Sequence, residues 1–157
     1  MATQHTDDRA QRLAHGLYTR LLNRRPEPDG YRYVWQSLRE GKMSVRQHVL
    51  EFVGSEEFRM KFVRNTPRES VVQHLHMVLL GRKITDPYRL ARQVADFALL
   101  DLAAYAERLT YSPDYRRLYG EDRLPGARPA TGPHSAAVES RSTSQTRDQA
   151  GAQPTGF

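Results

Sequence analysis

Leu13, Leu17, Leu21 and Leu22 recur at the three- and four-residue steps that line one side of a helix. Asp7 or Asp8 is placed to cap that helix and Pro26 and Pro28 to stop it. Tyr31, Val34, Trp35 and Leu38 repeat the spacing in a second helix over 29–40, ended by Gly41. Ser44-Val45-Arg46-Gln47 is a capping box, in which the hydroxyl and the amide each satisfy a backbone N–H that a helix start leaves free. It opens a third helix with Val45, Val49, Phe52 and Val53 inward, broken by Gly54. Ser55-Glu56-Glu57 caps a short fourth helix with Phe58 and Phe62 inward.

The pattern then starts again. Thr66-Pro67-Arg68-Glu69 reads as a cap, then a proline at the first helical position, then an acid, ahead of Val71, Val72, Leu75, Val78, Leu79 and Leu80, with Gly81 as terminator. Asp86-Pro87 opens a sixth helix through about Phe97, Asp101 a seventh through Leu109, and Ser112-Pro113-Asp114 an eighth through Tyr119 and Gly120. No stretch alternates at period two for long enough to make a strand. The predicted fold is all-α: about eight short helices in two quasi-repeated sets of four.

The repetition extends to individual residues. Leu17-Tyr18-Thr19-Arg20-Leu21-Leu22-Asn23-Arg24-Arg25 matches Leu75-His76-Met77-Val78-Leu79-Leu80-Gly81-Arg82-Lys83, position for position and without a gap. Ser55-Glu56-Glu57-Phe58-Arg59 matches Ser112-Pro113-Asp114-Tyr115-Arg116 at almost the same offset along the chain. A unit written twice points to a packing scaffold with internal pseudo-symmetry rather than to one unique reactive centre.

Composition sets the boundaries. From Arg128 onward the chain turns to Ala, Ser, Thr, Gly, Gln and Pro, with Val138 and Phe157 the only large apolar side chains. Such a segment buries too little to offset its ordering entropy, so residues 7–127 are expected to form the domain and 128–157 a disordered tail. The chain has no cysteine, which excludes disulfides and thiol chemistry. No apolar run is long enough to span a bilayer, and the first eight residues are polar, so membrane insertion and a signal segment are not expected. A cytoplasmic location is the simplest reading.

The net charge is +6, carried by 24 basic against 18 acidic residues, with arginine far ahead of lysine. Residues 1–67 hold twelve of the cations against eight carboxylates. A basic surface favours acidic partners, and arginine suits protein interfaces.

The groups able to carry chemistry fall into structural patterns. His74 and His76 stand two apart and would face different ways on a helix, and His15 and His48 lack partners at ligand spacing, so no metal site is expected. Ser44, Ser55 and Ser112 read as helix caps, not nucleophiles. The paired carboxylates at Asp7-Asp8, Glu56-Glu57 and Glu121-Asp122 lack an acid/base counterpart. There is no phosphate-cradling glycine loop, and neither a catalytic residue nor a cofactor is expected. Cations spread along several elements argue against nucleic-acid binding. What remains are two symmetry-related cationic corners, Arg24-Arg25 and Arg82-Lys83, suited to docking acidic protein, with Tyr18 as an aromatic anchor.

Several stretches resemble the phycobilisome linker domain family. They are Leu17-Tyr18 to Arg24; Leu38-Arg39-Glu40-Gly41-Lys42-Met43-Ser44-Val45-Arg46-Gln47-His48-Val49; Ser55 to Phe62; Leu79-Leu80-Gly81-Arg82; and Tyr119-Gly120-Glu121-Asp122-Arg123-Leu124-Pro125. The resemblance runs from Leu17 to Pro125. It implies a non-enzymatic, basic, helical module that sits within rings of phycobiliprotein trimers or hexamers. Such a module joins discs into rods or to a core and would lie peripherally at the thylakoid surface. Pro28-Asp29-Gly30 with Tyr33 and Trp35 looks more like a related repeat domain of bacterial surface and secreted proteins. That leaves open an alternative: a stand-alone bacterial interaction or surface-assembly module of the same fold.

Overall fold

The computed structural model describes residues 2–126. Among them the chain forms α1 (Ala2–Leu21), α2 (Pro28–Arg39), α3 (Val45–Val53), α4 (Glu56–Phe58), a π-helical turn (Arg59–Val63), α5 (Arg68–Leu80), α6 (Pro87–Leu99), α7 (Leu102–Thr110) and α8 (Pro113–Leu118), with no strand. The all-helical expectation holds, and the four-helix unit is built twice. The tail expected over 128–157 lies outside the described residues.

Local signals start most of these helices. The capping box at Ser44 is complete: the Gln47 N–H donates to Ser44 Oγ at 3.2 Å, and the Ser44 N–H donates to Gln47 Oε1 at 2.8 Å. Asp86 accepts from the Tyr88 N–H at 3.0 Å and Asp101 from the Ala104 N–H at 2.7 Å. Ser55 and Ser112, equivalent in the repeat, act alike. Each accepts an N–H three residues on (Phe58 at 3.2 Å, Tyr115 at 3.3 Å). Each also donates its hydroxyl to a carbonyl three residues back, Phe52 or Leu109, at 2.6 Å.

Three boundaries differ from expectation. α1 begins at Ala2, so Asp7 and Asp8 lie inside it and cap nothing. Asp7 is used across the fold instead: Trp35 Nε1 donates to its Oδ1 at 3.0 Å, which ties α1 to α2. α1 also ends before Pro26 and Pro28, because Asn23 adopts left-handed backbone (φ 52). Gly81 does the same (φ 75) at the equivalent place after α5. Finally, Thr66 does not cap α5. Its hydroxyl donates to the Arg64 carbonyl at 3.3 Å, and Pro67 stands at the helix start without a side-chain cap.

The core follows the repeat. Leu17, Leu21 and Leu22 in the first copy and Leu75, Leu79 and Leu80 in the second are all buried. Val45 and Leu102, Val49 and Ala106, and Phe58 and Tyr115 are buried as equivalent pairs. α1 packs on α2 and α3, and α5 on α6 and α7. The two copies meet where α3 packs against its own counterpart α7. α5 of the second copy also packs on the π-helical turn of the first.

A closing segment after α8 straps the first copy. The Arg46 N–H donates to the Glu121 carbonyl at 3.1 Å, the Arg46 guanidinium pairs with the Glu121 carboxylate, and its Cζ lies 4.0 Å from the Tyr111 ring centroid. Arg9 donates to the Asp122 carbonyl at 3.3 Å. Leu124 presses on Gly16 of α1, where a Cβ would stand 2.4 Å from Leu124 Cδ1. The glycine lets the strap lie close.

Candidate docking surface

The two candidate cationic corners are built on one plan. At the end of α1, Arg24 Nε donates to both Glu57 carboxylate oxygens, at 2.7 and 3.1 Å. Its Nη1 reaches the Arg25 carbonyl at 2.9 Å and pairs with Glu27. At the end of α5, Arg82 Nη2 donates to Asp114 at 2.9 Å. Arg82 is the repeat equivalent of Arg24, and Asp114 that of Glu57. The repeated arginine thus clasps the first-turn acid of the Ser-capped helix in its own copy. The separate Arg24–Glu27 hydrogen bond holds the Glu27 carboxyl below its ordinary value, and Glu27 and then Glu57 raise the Arg24 guanidinium.

Tyr18 is buried, meets the Phe52 ring edge-on with centroids 4.7 Å apart, and lies under Arg24, whose Cζ is 5.0 Å from its ring centroid. Its hydroxyl is 3.5 Å from Glu27 Oε1, and burial pushes its pKa up, so the phenol resists ionisation. Tyr18, Arg24, Glu27, Glu51, Phe52 and Glu57 line an open cleft of about 340 Å³. Arg24 is the one cation of that set, against three carboxylates. Arg25 and Lys83 are exposed at the two corners; Arg24 is half-buried in its ion pairs, and Arg82 is exposed but paired with Asp114.

The histidines hold helices together. His48 Nε2 lies 3.1 Å from Ser37 Oγ, joining α3 to α2. Tyr105 donates its hydroxyl proton to Gln93 Oε1 at 2.8 Å, joining α7 to α6. With that proton committed, His76 Nε2, 3.0 Å from the same tyrosine oxygen, is the donor to it. Burial pushes His76 down to about 4 and Tyr105 up to about 12. His74 stacks on Phe62 with centroids 4.4 Å apart, and burial lowers it as well. Among the described residues no group of three His, Asp or Glu side chains could hold a metal ion, and no helix is long and apolar enough to cross a membrane. Ser44, Ser55 and Ser112 all serve as caps.

The clasps Arg24–Glu57 and Arg82–Asp114 were not anticipated from the sequence, although the repeat offset that pairs the arginines also pairs the acids. The Asp7–Trp35 and Arg46–Glu121 ties carry no local signal at all.

Fold and surface together define a duplicated helical packing scaffold, in which serines and aspartates cap helices and histidine, tryptophan and arginine side chains tie them together. The family model of the phycobilisome linker polypeptide matches residues 5–128. Over 100 residues, 62% of this chain, it is 35% identical to the phycobiliprotein ApcE of a Nostoc species. It is 28% identical over 119 residues, 73% of the chain, to that of Microchaete diplosiphon. It is 30% identical over 103 residues, 66% of the chain, to that of a Synechococcus species. These matches cover 9%, 11% and 14% of the respective relatives, so the chain corresponds to a small part of each. The chain belongs to the phycobilisome linker polypeptide family, whose members are structural and non-enzymatic.

Proposed function

We propose that this chain binds acidic phycobiliprotein trimers or hexamers and so organises a light-harvesting antenna, at the cytoplasmic side of the thylakoid surface. The observation that carries the reading is that the family match runs from the first helix through the closing strap, taking in both copies of the repeat. The charge supports it: a net +6 favours an acidic partner. Arg25 and Lys83, at equivalent corners, are the cations placed to steer the encounter; Tyr18, Arg24 and Arg82 hold the corners in shape.

The test is a pull-down on immobilised phycobiliprotein at low and high salt, with the Arg25→Glu/Lys83→Glu variant beside wild type. Binding at low salt that weakens at high salt is expected, because exposed charges are screened. The double variant should associate more slowly at an unchanged melting temperature. Absence of binding by folded wild type at low salt would retire the antenna role in favour of a stand-alone interaction module. Binding that ignores both salt and the variant would remove the role given to Arg25 and Lys83.

A further inference from the structure

α2 and α6 hold the same place in the two copies, each laid against the first helix of its unit. Both begin at a proline, Pro28 and Pro87. With those prolines aligned, the inward and outward positions of the two helices largely coincide. Tyr31, Trp35 and Leu38 match Leu90, Val94 and Phe97, all of them partly buried. The outward positions also agree in exposure but not in chemistry. α2 and its C-cap present Asp29, Arg32, Tyr33, Gln36, Arg39 and Glu40 to solvent. α6 presents Tyr88, Ala91, Arg92, Ala95, Ala98 and Leu99 at the same places.

The duplicated fold therefore carries a polar outer helix in one copy and a mostly apolar one in the other. Tyr88 is 88% exposed and Leu99 86%, the highest values among the exposed large hydrophobic side chains. Tyr88, Arg92, Ala95 and Leu99 fall at i, i+4, i+7 and i+11, one line along the helix about 16 Å long. Helix propensity accounts for the alanines on that face. It does not account for a tyrosine and a leucine held in water at its two ends. α6 itself contributes no fully buried residue, so it is held at its place by one face only. Arg89 and Arg92 are exposed on α6, while its acid Asp96 is partly buried and paired with Arg108 at 3.3 Å. Of the exposed charges on α6 itself, Arg92 stands in that line and Arg89 borders it, while the exposed acids Asp86 and Asp101 lie off its two ends as helix caps. A low alanine ridge with apolar ends lets another helix approach closely, and the cationic border selects for an acidic one.

We infer that the outer face of α6 is the surface on which this chain docks an acidic, helical protein, and that the occupant is the phycobiliprotein of the proposed function, on which this inference rests. Only the second copy of the repeat binds through its outer helix; α2 stays solvated. The experiment compares Ala95→Glu on α6 with Gln36→Glu on α2, the same outward position in the two copies. The probe is purified phycobiliprotein, trimeric and hexameric, titrated with the full chain at low salt. Both variants should melt with the wild type, since both side chains are exposed. Ala95→Glu should weaken binding about tenfold or more, as a charge driven into an interface centre does, and Gln36→Glu should leave it within about twofold. A Tyr88→Ala/Leu99→Ala variant gives the same comparison without adding charge and should also bind more weakly. Equal binding by all variants would overturn the α6 assignment while leaving the proposed function standing. No binding by wild type would retire both. Dimerisation of the chain alone, abolished by Ala95→Glu, would assign the face to a second copy and overturn this inference.

Discussion

His76 shows how single residues in this fold trade solvent for helix-to-helix contact. Its imidazole is 3% exposed, donates to Tyr105 and is pushed by burial down to about 4 from an ordinary 6.5. His48 and His74 are shifted in the same direction by the same cause. The sign follows from which state takes the proton. Between about pH 6.5 and 4 the unfolded chain protonates the His76 ring and the folded one resists, so stability falls on acidification through that window. His76 contributes about 1.4 kcal/mol per pH unit there. Denaturant melts at pH 7, 5.5 and 4 should show the decline. His76→Gln, which can still donate to Tyr105 but does not titrate, should show a shallower one. An identical slope in the variant would mean that His76 titrates normally in the fold. None of this was legible in the sequence beyond the exclusion of chelation. Burial of His76 depends on α7 and α6 closing over it, and no local pattern carries that. The clasping of Arg24 was hidden for the same reason, since Glu57 is distant from it along the chain.

Helices were the most legible level, because what starts and stops them is local. Ser44, Ser55, Asp86, Asp101 and Ser112 cap where their spacing says they should. Failures came where a signal was present but another contact claimed the group. Asp7 is used by Trp35, and Thr66 turns back to Arg64. The π-helical turn at Arg59–Val63 was invisible, because Phe58 and Phe62 sit four apart as in any α-helix. Ser55 and Ser112 make the same two hydrogen bonds, so Ser55→Ala and Ser112→Ala should cost similar amounts, about 0.5–2 kcal/mol each. Thermal melts of both variants check this. A loss confined to one of them would show that the two copies do not share stability evenly.

At the scale of the whole molecule the duplication sets the architecture, and its departures from symmetry set the surface. Equivalent core positions are buried in both copies, and α3 packs against its counterpart α7. The closing strap engages α1 and α3 of the first copy, and the apolar outer helix belongs to the second. The repeat was legible because a core must be apolar wherever it is written. The α6 surface was not, because exposed alanines among helical spacings read as ordinary helix formers until the fold shows which positions face out. The most direct measurement of the proposed binding to phycobiliprotein is sedimentation velocity of the folded chain mixed with purified phycobiliprotein at low salt. The expected result is a boundary, faster than either component, carrying both this chain and the phycobiliprotein absorbance, and dissolving as salt is raised. Two boundaries sedimenting independently, with the chain demonstrably folded, would contradict the account.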